Sequence, residues 1–229
     1  MIKCVADDGS AATSDIVSAI NLAAQRAAAN PTRPAVVNMS LGGPPSRALD
    51  NAVAAAVAQG LPFVVAAGNE TQDANNASPA RLAQVITVGA TDINDRIASF
   101  SNFGNKVDVF APGDTIVSAS FQGDNLGAVL SGTSMASPHI AGLAALIMGQ
   151  SGKLTPDALS TQIKSVAITN AIAGVPANTA NTLAFNNAVP VGQLQQAVGQ
   201  AGNAGAGGAG AGAARNRRDV GELSETFIL

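Results

Sequence analysis

Apolar positions fall into two repeating patterns. Between residues 14 and 29, Ile16, Ile20, Ala23, Ala24 and Ala27 recur at helical spacing and form one stripe. Asn30-Pro31 and Arg33-Pro34 end that helix. Ala35–Ser40, Leu61–Ala67, Gln84–Thr91 and Lys106–Phe110 are apolar in unbroken runs rather than in alternation, as strands covered on both faces are. Between the first two, Ser46 stands as N-cap of an Ala/Val-rich helix reaching Gln59. Residues 134–149 form a helix of small apolar residues. Residues 155–168 form another, with Thr155 as N-cap and Pro156 at the first helical position. Residues 2–6 are expected as a short strand entering the turn Asp7-Asp8-Gly9, and 114–131 as strands and turns.

Buried-type strands alternating with helices imply a parallel sheet with helices on both faces, a three-layer α/β/α domain with a mostly parallel central sheet. The pattern stops near residue 190. From Gly192 to Ala214 the chain is mainly Gly, Ala, Gln and Asn, followed by Arg215-Asn-Arg-Arg218. The expected organisation is a domain over residues 1–190 and a Gly/Ala-rich disordered tail over 191–229. Arg217-Arg218 reads as a solvated linker or a processing site.

Composition narrows this picture. Of the 229 residues, 47% are hydrophobic but only 3% aromatic, with no Trp or Tyr, so Ala, Val, Leu and Ile must build the core. The net charge of −3 argues against a nucleic-acid partner held by phosphate contacts. No apolar run approaches the ~20 residues of a membrane span. The start MIKCVADDGS has no signal-peptide core, so the expectation is an intracellular protein or a true start lying elsewhere. The one cysteine, Cys4, reads as a small buried hydrophobe.

The candidate chemistry sits at the start of the helix over 134–149. Ser134 lies where free backbone N–H groups and the positive end of the helix dipole converge, which suits a nucleophile whose attack creates an oxyanion. From spacing alone the favoured reading of Ser134 is a plain N-cap. Ser131-Gly-Thr-Ser-Met-Ala-Ser-Pro-His-Ile-Ala-Gly142 closely resembles the nucleophile motif of the subtilisin-like (subtilase) serine peptidases. Val36–Gly43, Val64–Asn69, Ala98–Gly104 and Val109–Gly113 resemble further segments of that family in the same order, nearest to its proteinase K-like branch.

The resemblance implies roles. Ser134 would be the nucleophile of a serine endopeptidase, forming an acyl-enzyme. Asn69 and the Ser134 N–H would donate to the oxyanion. Ser40, Leu41 and Gly42 would pair with the substrate backbone, while Ala66, Ala67 and Gly68 would line the specificity pocket. No cofactor is implied for the chemistry. A structural calcium ion would use the carbonyls of Ala83 and Val85 with the Asp108 carboxylate, unless Asp108 is only a turn or salt-bridge residue. Partners would be protein or peptide substrates, with no nucleic acid and no membrane, and the preceding segment or a propeptide as a further partner. The family resemblance points to an extracellular location.

Two family motifs do not occur: the Asp-Ser/Thr-Gly turn and the His-Gly-Thr helix start that carry the triad acid and base. The reading is therefore of a domain lacking its N-terminal part and inactive alone, or of a non-catalytic subtilase-derived module that binds peptides. That loss should leave an unpaired apolar sheet edge. His139, the only histidine, lies five residues after Ser134, about 140° around the same helix and ~7.5 Å along it, so it reads as a packing residue. An esterase using Ser134 is disfavoured because residue 136 is Ala, not the Gly of a nucleophile elbow. Of the sequons at Asn38, Asn69 and Asn76, only Asn76 lies in a polar loop.

Overall fold

The computed structural model describes residues 2–6, 9–120, 122–123, 125–187 and 225–228. The segment 192–214 and the Arg217-Arg218 pair lie outside them, as does most of the Asp7-Asp8-Gly9 turn.

In chain order the helices and strands are α1 (Thr13–Ala29), β1 (Ala35–Met39), α2 (Arg47–Ala58), β2 (Phe63–Ala66), β3 (Ile86–Thr91), β4 (Val109–Pro112), β5 (Ile116–Ala119), β6 (Gly127–Leu130), α3 (Thr133–Ser151), α4 (Pro156–Val166), β7 (Ile168–Thr169), β8 (Thr182–Leu183) and β9 (Glu225–Ile228). Ser46 caps α2, its side chain accepting from the Leu49 N–H, and Thr155 caps α4 through the Ala158 N–H, as the sequence anticipates.

Seven strands form one sheet in the order β7-β8-β4-β3-β2-β1-β9, parallel throughout except for the β7–β8 pair. Side-chain parity splits the core in two. Val37, Met39, Phe63 and Val65 point to the side covered by α1 and α2, packing on Ile20, Ala23, Leu49 and Val53. Val36, Val64, Val88 and Val109 point to the other side, under Ala136, Ile140 and Ala144 of α3 and Leu159 and Ile163 of α4. Helix α3 carries no Asp, Glu, Lys or Arg. It crosses β1, β2, β3 and β4, and its small residues bring it close to the sheet. The α/β/α expectation holds, with helices on both faces.

Three local expectations change. Residues 2–6 form no strand, although Ile2 and Cys4 pack against the core under α1. Ile168, expected at the end of α4, opens β7 instead. The outer edge of β1 is not unpaired: β9, in the segment expected as a disordered tail, lies along it in parallel.

Candidate active site

Ser134 is the second residue of α3 and lies at the C-terminal ends of β1 and β2. In a parallel α/β sheet that end is where the loops leave a crevice. Here the crevice is a cleft of about 640 Å³ whose lining includes Ser40, Leu41, Gly42, Ala66, Gly68, Asn69 and Ser134. That volume is in the range of small-ligand and peptide sites. It brings together five of the six expected substrate-binding residues and both expected catalytic ones. Ala67 is the exception. Its neighbour Ala66 faces the cleft side, so parity turns the Ala67 side chain into the core under α1 and α2, where it is fully buried.

Asn69 is held by one atom. Its side-chain Oδ1 accepts from the Thr133 N–H at 2.8 Å and from the Thr133 hydroxyl at 3.0 Å. Thr133 is itself fixed, its Oγ1 accepting from the Gly68 N–H at 3.0 Å. With Oδ1 occupied by two donors, the amide orientation is set by the network, and the Nδ2 group makes no hydrogen bond among the described residues. Two N–H donors of that group remain for a ligand beside the start of α3.

The loop that carries Asn69 is tied down by a residue whose role is not visible in the sequence. Asn102, fully buried, donates through Nδ2 to Ala67 O and to Glu70, and through its N–H to Gly68 O. Its Oδ1 accepts from the N–H groups of Glu70 and Gln72 at 3.1 and 2.9 Å. Gly68 sits at φ 102°, and a Cβ there would lie 2.3 Å from Asn102 Nδ2, so only glycine allows this close approach. The only sequence signal for Asn102 is the Ala98–Gly104 motif; its reach across more than 30 residues is visible only in the fold.

Pro138 shapes the other side. A proline at 138 has no N–H to give to the carbonyl four residues earlier, that of Ser134. The Ser40 hydroxyl donates to that carbonyl instead, at 2.8 Å. The same hydroxyl oxygen accepts from Asn38 Nδ2 and lies 2.9 Å from Ser137 Oγ. The Ser134 hydroxyl in turn donates to the Ser40 carbonyl at 3.0 Å. Ser40 and Ser134 are thus reciprocally bonded, and the acceptor at Ser134 Oγ is a carbonyl rather than a basic nitrogen. The His139 ring is turned back along its own helix, Nδ1 lying 2.8 Å from Met135 O, and no hydrogen bond joins it to Ser134.

Outside the cleft, Asp108 accepts from the Thr87 N–H at 2.9 Å and from the Lys164 ammonium at 3.1 Å. Among the described residues no group of three or more His, Cys, Asp or Glu side chains could hold a metal. Asn38 and Asn69 are engaged in these networks, while Asn76 is exposed at the cleft rim.

Ser134 at the start of a sheet-crossing helix and the anchored Asn69 amide thus meet at one end of the parallel sheet of an α/β/α domain. The model of the Subtilase family matches residues 1–210, and the chain belongs to that family. It is 47% identical over 189 residues to subtilase-type proteinase psp3 of Schizosaccharomyces pombe, an alignment covering 81% of this chain and 42% of that protein. It is 46% identical over 187 residues to subtilisin-like serine protease AsES of Sarocladium strictum, covering 81% and 47%. A cuticle-degrading protease of Metarhizium anisopliae is 43% identical over 188 residues, with 82% and 48% covered. The chain therefore spans less than half the length of these relatives. Among solved structures, a cold adapted subtilisin-like serine proteinase superimposes with a TM-score of 0.76 at 43% identity, covering 82% of this chain and 66% of that one.

Proposed function

We propose that this chain supplies the nucleophile and oxyanion machinery of a serine endopeptidase, and that it is inert without a base brought by another segment. The observation that carries this reading is the Asn69 clamp: Oδ1 locked by Thr133, Nδ2 left with free donors next to Ser134. A peptide would lie as an added strand along Ser40, Leu41 and Gly42. The side chain before the scissile bond would enter the space beside Ala66 and Gly68, whose small walls favour apolar groups. Ser134 Oγ would attack the carbonyl carbon, and Asn69 Nδ2 with the Ser134 N–H would receive the negative charge that develops on its oxygen.

The hydroxyl proton must leave for this step. The Ser40 carbonyl that holds it is far too weak a base, so Ser134 keeps ordinary alcohol reactivity in the chain as it stands. A peptide that takes the Ser40 carbonyl as a strand partner also releases that hydroxyl, so binding and exposure of the nucleophile coincide.

A structural calcium at Ala83, Val85 and Asp108 fits only if Lys164, whose side chain is 44% exposed, withdraws from the carboxylate. Secretion is the location we infer from the family. Among the described residues no helix is long and apolar enough to cross a membrane.

An active-site-directed fluorophosphonate tests the proposal. Ser134 should be labelled in protein extended to the full length of its relatives, with loss of labelling in Ser134→Ala, and not in this chain alone. Rapid labelling of this chain alone would contradict the need for an external base. Absence of labelling in the folded, extended protein would leave a module that binds peptides without cleaving them.

A further inference from the structure

The backbone that presents Asn69 follows a strained path. Gly68 lies at φ 102° and Thr71, a β-branched residue, at φ 53°. A β-branched residue in the left-handed region persists only where its surroundings over-determine it. Here one short segment, 99–103, does so. The Ser99 carbonyl accepts from the Thr71 hydroxyl at 2.7 Å, and the Phe100 carbonyl from the Thr71 N–H at 3.0 Å. The Phe103 N–H donates to Gln72 O at 3.0 Å.

Asn102 stands at the centre of that segment. Its bonds reach Ala67 and Gly68 on one side of Asn69, and Glu70 and Gln72 on the other. Both N–H groups and both lone pairs of its side-chain amide are used. Asn69 itself is left to Thr133. The grip is tied to the sheet through Ser101, whose hydroxyl accepts from the Ala90 N–H of β3 and donates to the Asn102 carbonyl, each at 3.0 Å. Ser101 and Asn102 are almost wholly buried, where such a network is rigid only when every member is satisfied.

We propose that Asn102 is a positioning residue for oxyanion stabilisation, passing the fixed place of β3 to the Asn69 amide. The proposal rests on the reading of Asn69 as an oxyanion donor. Asn102 touches no reacting atom; it acts by holding the chain on either side of the donor. A preorganised donor is effective only where the charge develops, and a displacement of ~1 Å can cost about 10²-fold in rate.

Steady-state hydrolysis of a peptide p-nitroanilide, by protein extended to the full length of its relatives, tests this. Asn102→Asp keeps the shape and the acceptor for the Glu70 and Gln72 N–H groups. It removes the donor to Ala67 O and sets a carboxylate against that of Glu70. kcat should fall about 10–100-fold, with KM changed less than about twofold. In an Asn69→Ala background the same substitution should change kcat less than about threefold, because the group it positions is gone. Adding Glu70→Gln to Asn102→Asp supplies an amide that donates to the new carboxylate, and should restore kcat by about threefold or more. Should Asn102→Asp fail to fold, Ser101→Ala carries the same test, since it cuts the tie to β3 and leaves the amide in place. An equal loss of kcat with and without the Asn69 side chain would overturn the proposal and leave Asn102 a structural residue only. So would an unchanged kcat in folded Asn102→Asp. Undiminished kcat in Asn69→Ala alone would instead remove the oxyanion reading, and this proposal with it.

Discussion

Replacing Ser40 with alanine removes a hydroxyl on which three groups depend. The Ser134 carbonyl loses its donor, Asn38 Nδ2 loses its acceptor and Ser137 Oγ loses its neighbour. Asn38 and Ser137 are almost wholly buried, so water reaches neither easily. A net hydrogen bond contributes ~0.5–1.5 kcal/mol, and a stranded buried partner costs about 1–3 kcal/mol. The Ser134 carbonyl borders the cleft and can be partly rehydrated, which places Ser40→Ala at roughly 2–4 kcal/mol of destabilisation. For a domain of this size that is a fall in Tm of about 6–12 °C. Urea denaturation and thermal melts both measure it. The cause is tested by a second substitution. Pro138→Ala restores an N–H four residues after Ser134, giving its carbonyl an intrahelical donor. It should therefore stabilise the Ser40→Ala background more than the parent, by about 1 kcal/mol of coupling in the double-mutant cycle. A Ser40→Ala cost below ~0.5 kcal/mol, the level of an ordinary surface change, would refute the network. Strict additivity with Pro138→Ala would refute the claim that the hydroxyl substitutes for the missing proline N–H.

Other perturbations probe separate parts of the molecule. A Cβ at Gly89 would lie 2.3 Å from the ring of Phe110, which is fully buried, so Gly89→Ala should cost about 2–3 kcal/mol, and Phe110→Leu should make the pair less damaging than the sum of the two. Equal cost in both backgrounds by urea denaturation would exclude the clash. Burial, and secondarily the charge of Asp15, pushes the Cys4 thiol above its ordinary pKa. The neutral thiol is then favoured in the folded state, so its contribution is present below the unfolded value of ~8.5 and fades as pH rises through the folded one. Iodoacetamide should accordingly modify native Cys4 more slowly at pH 8.5 than in urea, and equal rates would contradict the burial. Calcium should raise the Tm of Lys164→Met more than that of the parent chain, because the ammonium now on Asp108 competes for the site; no calcium effect in either protein would remove the site.

Much of this architecture was legible in the sequence because it depends on local rules. Ser46 and Thr155 were readable as caps, and the unbroken apolar runs marked buried parallel strands. The segments that resemble the family's nucleophile and oxyanion motifs were readable, and the fold places Ser134 and Asn69 along one cleft. Parity alone could have reassigned Ala67, since adjacent residues of a strand cannot both face one pocket. Asn102 and the Ser40–Ser134 pairing were not readable, because hydrogen bonds spanning 30 to 94 residues leave no periodic trace. β9 was missed for a related reason. A four-residue strand flanked by polar, glycine-rich sequence carries too little pattern to announce itself, and its place is fixed by the edge it meets.

That placement has a consequence for the order in which the molecule is made. β1 and β9 are paired in space yet lie about 190 residues apart in the chain. During synthesis at ~5–20 residues per second, β1 emerges ten seconds or more before β9. Helices α1 and α2 and the strands β2 to β4 can assemble in that interval, since their contacts are closer in sequence. Among the described strands the β1–β9 pairing is then the last to form, and it is the contact most dependent on the rest of the sheet being in place.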